Sequence, residues 1–117
     1  FLINNADRKG SHLLIDSGNR LWLIDHGLCF HKEDKLRTVL WDFIGEPVPE
    51  SILESISQLI DELLAKSEHK SVLHNQLRVH INQEEIHALR RRAERLSKIG
   101  EFPRHDPYRR PFPWPQI

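Results

Sequence analysis

Apolar and polar positions change rhythm along this chain. Residues 12 to 16, "HLLID", and 20 to 25, "RLWLID", are short apolar runs on either side of "SGN", which predicts two strands joined by a tight hairpin turn. Beyond them the period lengthens. In "KLRTVLWDFI", residues 35 to 44, Leu36, Val39, Leu40 and Phe43 fall on one helical stripe that Gly45 and "PVP" end, which predicts a first helix. The segment "PESILESISQLIDELLAK" sets Ile52, Leu53, Ile56, Leu59, Ile60, Leu63 and Leu64 on one face behind Pro49, a residue suited to a first helical turn. Residues 71 to 81, "SVLHNQLRVHI", fit either a short helix or a loop. In "NQEEIHALRRRAERLSKIG", Asn82 and Glu85 form a capping pair, Ile86, Leu89, Ala93 and Leu96 form the stripe, and Gly100 ends it.

Residues 101 to 117 hold five of the seven prolines, which excludes regular helix or sheet and predicts an extended tail. Its aromatics, Phe102, Tyr108, Phe112 and Trp114, are expected to lay it across the domain surface. A proline-rich ligand for another module is the alternative.

Composition narrows the setting. A chain of 117 residues is about one domain, without the mass for the two lobes of a large enzyme. It begins at Phe1, contains no methionine and opens directly into motif-like sequence, so its N-terminus is expected to be truncated. Seventeen basic residues balance seventeen acidic ones, leaving no overall field to hold a polyanion, so no nucleic acid partner is expected. No apolar run approaches the roughly 20 residues of a membrane span, no signal peptide opens the chain, and the single cysteine, Cys29, has no disulfide partner. Together these predict a cytoplasmic protein with Cys29 packed among its apolar neighbours.

The chemistry gathers at the two ends of the hairpin. Phosphoryl transfer asks a protein for a carboxylate to orient an acceptor hydroxyl, a cation near the transferring group, and ligands for a divalent metal on the nucleotide phosphates. In "NNADRKGSHLLI" Asp7 is the candidate base, Lys9 the candidate cation, and His12 stands five residues after Asp7, where the D-x-x-x-x-N catalytic loop has its asparagine. One hairpin later "IDHG" sets Asp25 and Gly27 as in the metal-binding D-F-G element, with His26 between them. A hairpin folds back, so residues on either side of it arrive at the same end.

These stretches carry a family resemblance. "NADRKGSHLLI" followed by "LWLIDHGLCF" resembles the catalytic and metal-binding loops of the phosphatidylinositol 3-/4-kinase superfamily, above all the type II 4-kinase pattern of a D-R-G-x-x-N loop and an I-D-x-G-L-x-F loop. Over nearly the whole chain, "NNADRKGSHLLI", "LIDHGLCFH", "LWDFIGEPVPE", "ALRRRAERL" and "PFPWP" are similar to a family of small actinobacterial proteins described as phosphatidylinositol-kinase-like. The resemblance implies Asp7 as base, His12 and Asp25 as metal ligands, and Lys9 against phosphate. Asp25 would then hold the nucleotide through the metal. His12 departs from the family's asparagine, exchanging an oxygen for an imidazole nitrogen, which Mn²⁺ accepts more readily than Mg²⁺. No glycine-rich phosphate loop and no strand lysine precede the motif, so the chain carries half of such a site and lacks an N-terminal lobe.

Other features read more plainly. His69, His74, His80 and His87 lack the i, i+4 pairing of a helical zinc site and are expected to be surface or packing residues. "RRRAER", residues 90 to 95, is expected to be a solvated helix face rather than a phosphate or lipid patch, because Glu84, Glu85 and Glu94 dilute it. Trp41 and Phe43 are expected in the core beneath the metal-binding loop.

The sequence thus predicts an α+β unit over residues 1–100, the C-terminal lobe of a kinase-like fold. In it a β-hairpin carries the catalytic and metal loops and is backed by several α-helices, with the proline-rich tail of residues 101–117 packed on it. The expected activity is transfer of the ATP γ-phosphate to a hydroxyl acceptor with Mg²⁺ or Mn²⁺ once the missing lobe is supplied. A pseudokinase-like module that binds nucleotide or partners without turnover is the first alternative. Metal-assisted hydrolysis through His12, Asp25 and His26 is the second.

Overall fold

The computed structural model describes residues 1–64 and 71–117. It is an α+β structure whose elements run as a single 3-10 turn at Gly10–His12, strands β1 (Leu13–Ile15) and β2 (Leu21–Leu23), and helices α1 (Glu50–Leu64), α2 (Val72–His80) and α3 (Gln83–Ile99). The expected continuation of α1 to Lys66, and His69, lie outside the described residues.

The strands pair antiparallel in the register Leu13 with Leu23, Leu14 with Trp22 and Ile15 with Leu21. Asp16 builds the turn. Its Oδ1 accepts the N–H groups of Gly18 at 2.9 Å and Arg20 at 3.0 Å, and its Oδ2 accepts Trp22 Nε1–H at 2.9 Å. Asn19 takes the left-handed φ of 62° that closes the turn, a conformation asparagine tolerates.

Helix α3 begins on Asn82, whose side chain accepts Glu85 N–H at 2.9 Å and donates to Glu85 Oε1 at 3.0 Å. It ends on Gly100, whose φ of 70° belongs to the left-handed stop that glycine adopts without strain. Ser71 resolves the ambiguous segment in favour of a helix: its Oγ accepts His74 N–H at the start of α2 and donates to the Glu62 carbonyl, both at 3.1 Å.

Helices α1 and α3 pack together to form the core. Ile56 of α1 meets Ala93 and Leu96 of α3 with Val48, and Leu63 meets Ile86 and Leu89. Leu2 is packed against both groups, so the N-terminal segment lies over the helix pair. The stripe expected of α1 is narrower than its apolar residues suggest, since Ile52 and Leu64 are exposed.

Three expectations are corrected. The segment 35–44 is not a helix: Arg8 and Thr38 form a parallel bridge, with Arg8 N–H donating to Arg37 O at 3.0 Å, Val39 N–H to Arg8 O at 3.1 Å and Thr38 N–H to Pro111 O at 3.0 Å. Partners distant in sequence thus satisfy the backbone of residues 37–39 in extended form, where β-branched Thr38 and Val39 are at ease, and residues 42–45 form a turn. Accordingly Phe43 is 48 % exposed and not core, while Trp41 is half-buried and donates Nε1–H to Pro111 O at 3.0 Å. Among the described residues the hairpin is not backed by helices either. From Leu14 to Ile24 every residue but half-buried Asp16 is exposed, because the apolar faces of α1 and α3 are spent on each other.

The tail is irregular and bonded along its length: Phe102 exchanges hydrogen bonds with Gly45 and Glu46, Pro111 O takes Thr38 N–H, and Gln116 O takes Gly10 N–H. Phe102 packs against the core and Pro113 is fully buried, whereas Tyr108 and Trp114 face solvent.

Two outcomes follow. Ile86→Ala opens a cavity in the 1 % exposed heart of α3 and should cost about 2–5 kcal/mol, read by urea unfolding. The hydrogen bond from Trp22, then those from the Arg20 and Gly18 amides, hold the Asp16 carboxyl below its ordinary value. A depressed carboxyl favours the closed hairpin above its unfolded value and ceases to as pH falls through the folded one. Amide exchange across β1 and β2, corrected for intrinsic rates, should quicken on acidification through that window in the native chain, and Asp16→Ala should be fast throughout.

Candidate active site

The two loops flanking the hairpin are laid side by side by the backbone. Ala6 N–H donates to Leu28 O at 2.9 Å, Phe30 N–H to Ile3 O at 2.6 Å, and Ile24 N–H to His12 O at 3.1 Å. Arg8 closes the joint from within. It is 5 % exposed, and its Nη1 donates to Ile24 O at 2.7 Å and reaches His12 O at 3.5 Å, so one guanidinium grips the chain on both sides of the hairpin.

On this frame the four residues singled out by spacing form a continuous series. Asp7 Oδ2 lies 3.4 Å from Lys9 Nζ, Lys9 N–H donates to His12 Nδ1 at 3.4 Å, and His12 Nε2 lies 3.4 Å from Asp25 Oδ2. Asp7 is held by its own N–H, which donates to Asn5 Oδ1 at 2.9 Å. Asp25 sits at a left-handed φ of 58°, which turns the chain sharply where β2 ends. Its side chain is 58 % exposed while that of His12 is 12 % exposed, so the imidazole forms a wall and the carboxylate faces outward.

The donor set suits a cation held jointly with a ligand, not a cage of protein atoms alone. Ligands of an octahedral Mg²⁺ at about 2.1 Å and right angles are about 3.0 Å apart, near the separation of His12 Nε2 and Asp25 Oδ2, and such an ion commonly takes its remaining ligands from phosphate and water. A nitrogen donor suits Mn²⁺ better than Mg²⁺. Because Nδ1 accepts from Lys9, a neutral imidazole carries its proton on Nε2, so metal binding there requires the other tautomer. No cluster of three or more His, Cys, Asp or Glu able to hold a metal occurs among the described residues, so His26 does not complete a triad with His12 and Asp25. His74, His80 and His87 form no such cluster either.

Sequence reasoning missed the residues that hold the site together. The motif spacing gives Asn4, Asn5 and Arg8 no role, yet Asn4 is 1 %, Asn5 4 % and Arg8 5 % exposed. Asn4 Nδ2 donates to His31 O at 2.9 Å and Glu33 O at 2.6 Å, and its Oδ1 accepts Lys35 N–H at 3.0 Å. The only signal of this was the density of side-chain amides before Asp7. Cys29 is half-buried, and burial raises its thiol pKa above the ordinary value, which fits a packing role.

Arg8→Ala strips the Ile24 and His12 carbonyls of a buried donor and should cost about 1–3 kcal/mol in urea unfolding, with Arg8→Lys recovering only part.

Comparison with known proteins finds a similar chain in Protein Rv2133c of Mycobacterium tuberculosis, 44 % identical over 114 residues. The match takes in 97 % of this chain and 38 % of that protein, so the chain spans well under half the relative's length. No family model matches the chain, and no solved structure does.

Proposed function

We propose that the chain is the catalytic and metal-binding half of a kinase-like phosphotransferase, resembling the C-terminal lobe of the phosphatidylinositol 3-/4-kinase superfamily, that moves the ATP γ-phosphate to a hydroxyl acceptor. The observation that carries this reading is the unbroken series Asp7, Lys9, His12 and Asp25 at one end of a hairpin, each 3.4 Å from the next. Such transfer relies on positioning and charge rather than covalent work by the protein.

In this reading the Asp7 carboxylate, steadied by the Asn5 amide oxygen through its own N–H, accepts the acceptor's hydroxyl proton. Lys9 Nζ turns from Asp7 toward the phosphates when nucleotide enters, leaving the carboxylate free for the acceptor. Asp25 and His12 would hold the divalent ion, which when bound supplies charge neutralisation between phosphate oxygens. For His12 Nε2 to meet the ion, Nδ1 takes the proton and gives up the Lys9 amide; the ring shields the inner side of the site from water.

The exposed hairpin supports the same reading. Leu14, Ile15, Leu21, Trp22, Leu23, Ile24 and Leu28 are each 44 % exposed or more, and the strand alternation places them on both faces of the hairpin, apolar surface of the kind that marks an interaction site. In this reading an N-terminal lobe, for which the greater length of the mycobacterial relative leaves room, would cover it and supply a phosphate loop. A cytoplasmic setting suits an ATP-dependent enzyme; no helix among the described residues is long and apolar enough to cross a membrane.

A second reading, a pseudokinase-like module that binds nucleotide without turnover, draws on His12, whose engaged Nδ1 favours the tautomer that does not coordinate metal. Calorimetry on the full-length protein separates the two from a chain with no nucleotide site. A non-hydrolysable ATP analogue should bind with Mn²⁺ at least as tightly as with Mg²⁺, and Asp25→Ala should abolish binding. Asp7→Asn should preserve binding and lower phosphotransfer, including ATP hydrolysis in the absence of acceptor, by about 10²-fold or more. Binding without turnover in the native protein would select the second reading, and no binding with either ion would reject both.

A further inference from the structure

We propose that the cavity enclosed by the N-terminal loop, the 31–34 loop and α3 is a binding site for a phosphate group, separate from the Asp7–Asp25 site. The chain has no net charge, yet cations are concentrated here: Lys32, Arg91, Arg92 and Arg95 line the cavity against one carboxylate, Asp34. The cavity measures about 190 Å³. Sites for whole drug-sized ligands run about 300–1,000 Å³, so this one suits a single anionic group with its waters, not a nucleotide.

Arg92 is held in one wall of the cavity by backbone carbonyls. Its Nε donates to Leu2 O at 2.7 Å and its Nη1 reaches His31 O at 3.3 Å, which fixes the guanidinium plane, while Nη2 is buried with no partner among the described residues. Burial, then the charge of Arg91, depress the Arg92 pKa, and Asp34 opposes them. An anion in the cavity would add to Asp34 in favouring the charged guanidinium.

The neighbours are free to join. Arg91 and Arg95, one turn apart on α3, make no ion pair among the described residues, and Arg95 lies over the Phe1 ring at 5.8 Å. The acids that diluted this stretch in the sequence face elsewhere: Glu94 pairs with Arg90, and Glu84 draws Lys32 outward at 2.8 Å. Three guanidinium groups therefore remain for one ligand. Their planar forks match phosphate oxygens, and a dianion answers their summed charge better than a single carboxylate. Inorganic phosphate and a phosphomonoester share that chemistry.

The test is calorimetry on the full-length protein with inorganic phosphate and, separately, glycerol 3-phosphate, at constant ionic strength held with chloride. Saturable binding of either is expected, the tighter of the two identifying the source of the phosphate group. Arg91→Gln and Arg95→Gln should each weaken it by about tenfold. Arg90→Gln, on the same helix but paired with Glu94 and outside the cavity lining, should leave it unchanged, as should Asp25→Ala. Heat that chloride alone reproduces, absence of saturation with both probes, or equal loss in Arg90→Gln would overturn the proposal. Loss in Asp25→Ala with retention in Arg91→Gln and Arg95→Gln would assign the phosphate to the hairpin site instead and overturn it equally.

Discussion

A small set of buried polar side chains in the first eight residues holds this structure in shape. Asn4 carries three hydrogen bonds to the 31–35 loop, Asn5 orients Asp7, and Arg8 grips the chain on both sides of the hairpin, all nearly out of solvent. A hydrogen bond in such a place adds little net free energy when made and costs much more when broken, so the network fixes one arrangement rather than adding bulk stability. Asn4 at φ 52° shows how locally specified it is, since few residue types take that conformation and also offer both a donor and an acceptor.

The apolar core and the candidate site therefore rest on different physics. Helices α1 and α3 bury Ile56, Leu63, Ile86, Leu89, Ala93 and Leu96 against each other, a non-directional association that tolerates small shifts. The loops carrying Asp7 and Asp25 are placed by directional bonds to carbonyls, which tolerate little displacement. Leu2 is where the two regimes meet: its side chain packs against both parts of the core while its carbonyl receives Arg92. Positioning chemistry needs that stiffness, and the exposed hairpin beyond it shows that the stiffness comes from below the sheet and not from a cover above it.

Arginine serves twice in this economy of donors. Arg8 and Arg92 are both drawn inward to donate to backbone carbonyls, and each so joins segments far apart in sequence. The difference lies in what is left over: Arg92 retains a buried, unpartnered nitrogen beside a cavity.

The sequence by itself determined the elements whose signals are local. The hairpin followed from two apolar runs around "SGN", and helix α3 from its Asn82 cap, its stripe and Gly100, because turns, caps and periodicity act over a few residues. It also marked Asp7, Lys9, His12 and Asp25, since a hairpin must return its two ends together. Tertiary structure decided the rest. Residues 35–44 have a helical stripe, but bonds to Arg8 and Pro111, 29 and 73 positions from Arg37 and Thr38, drew residues 37–39 into extended form, and a turn follows at 42–45. The same holds for Asn4, Arg8 and Arg92: a sequence shows their polarity, but only the fold shows which carbonyls, dozens of residues away, are left needing a donor.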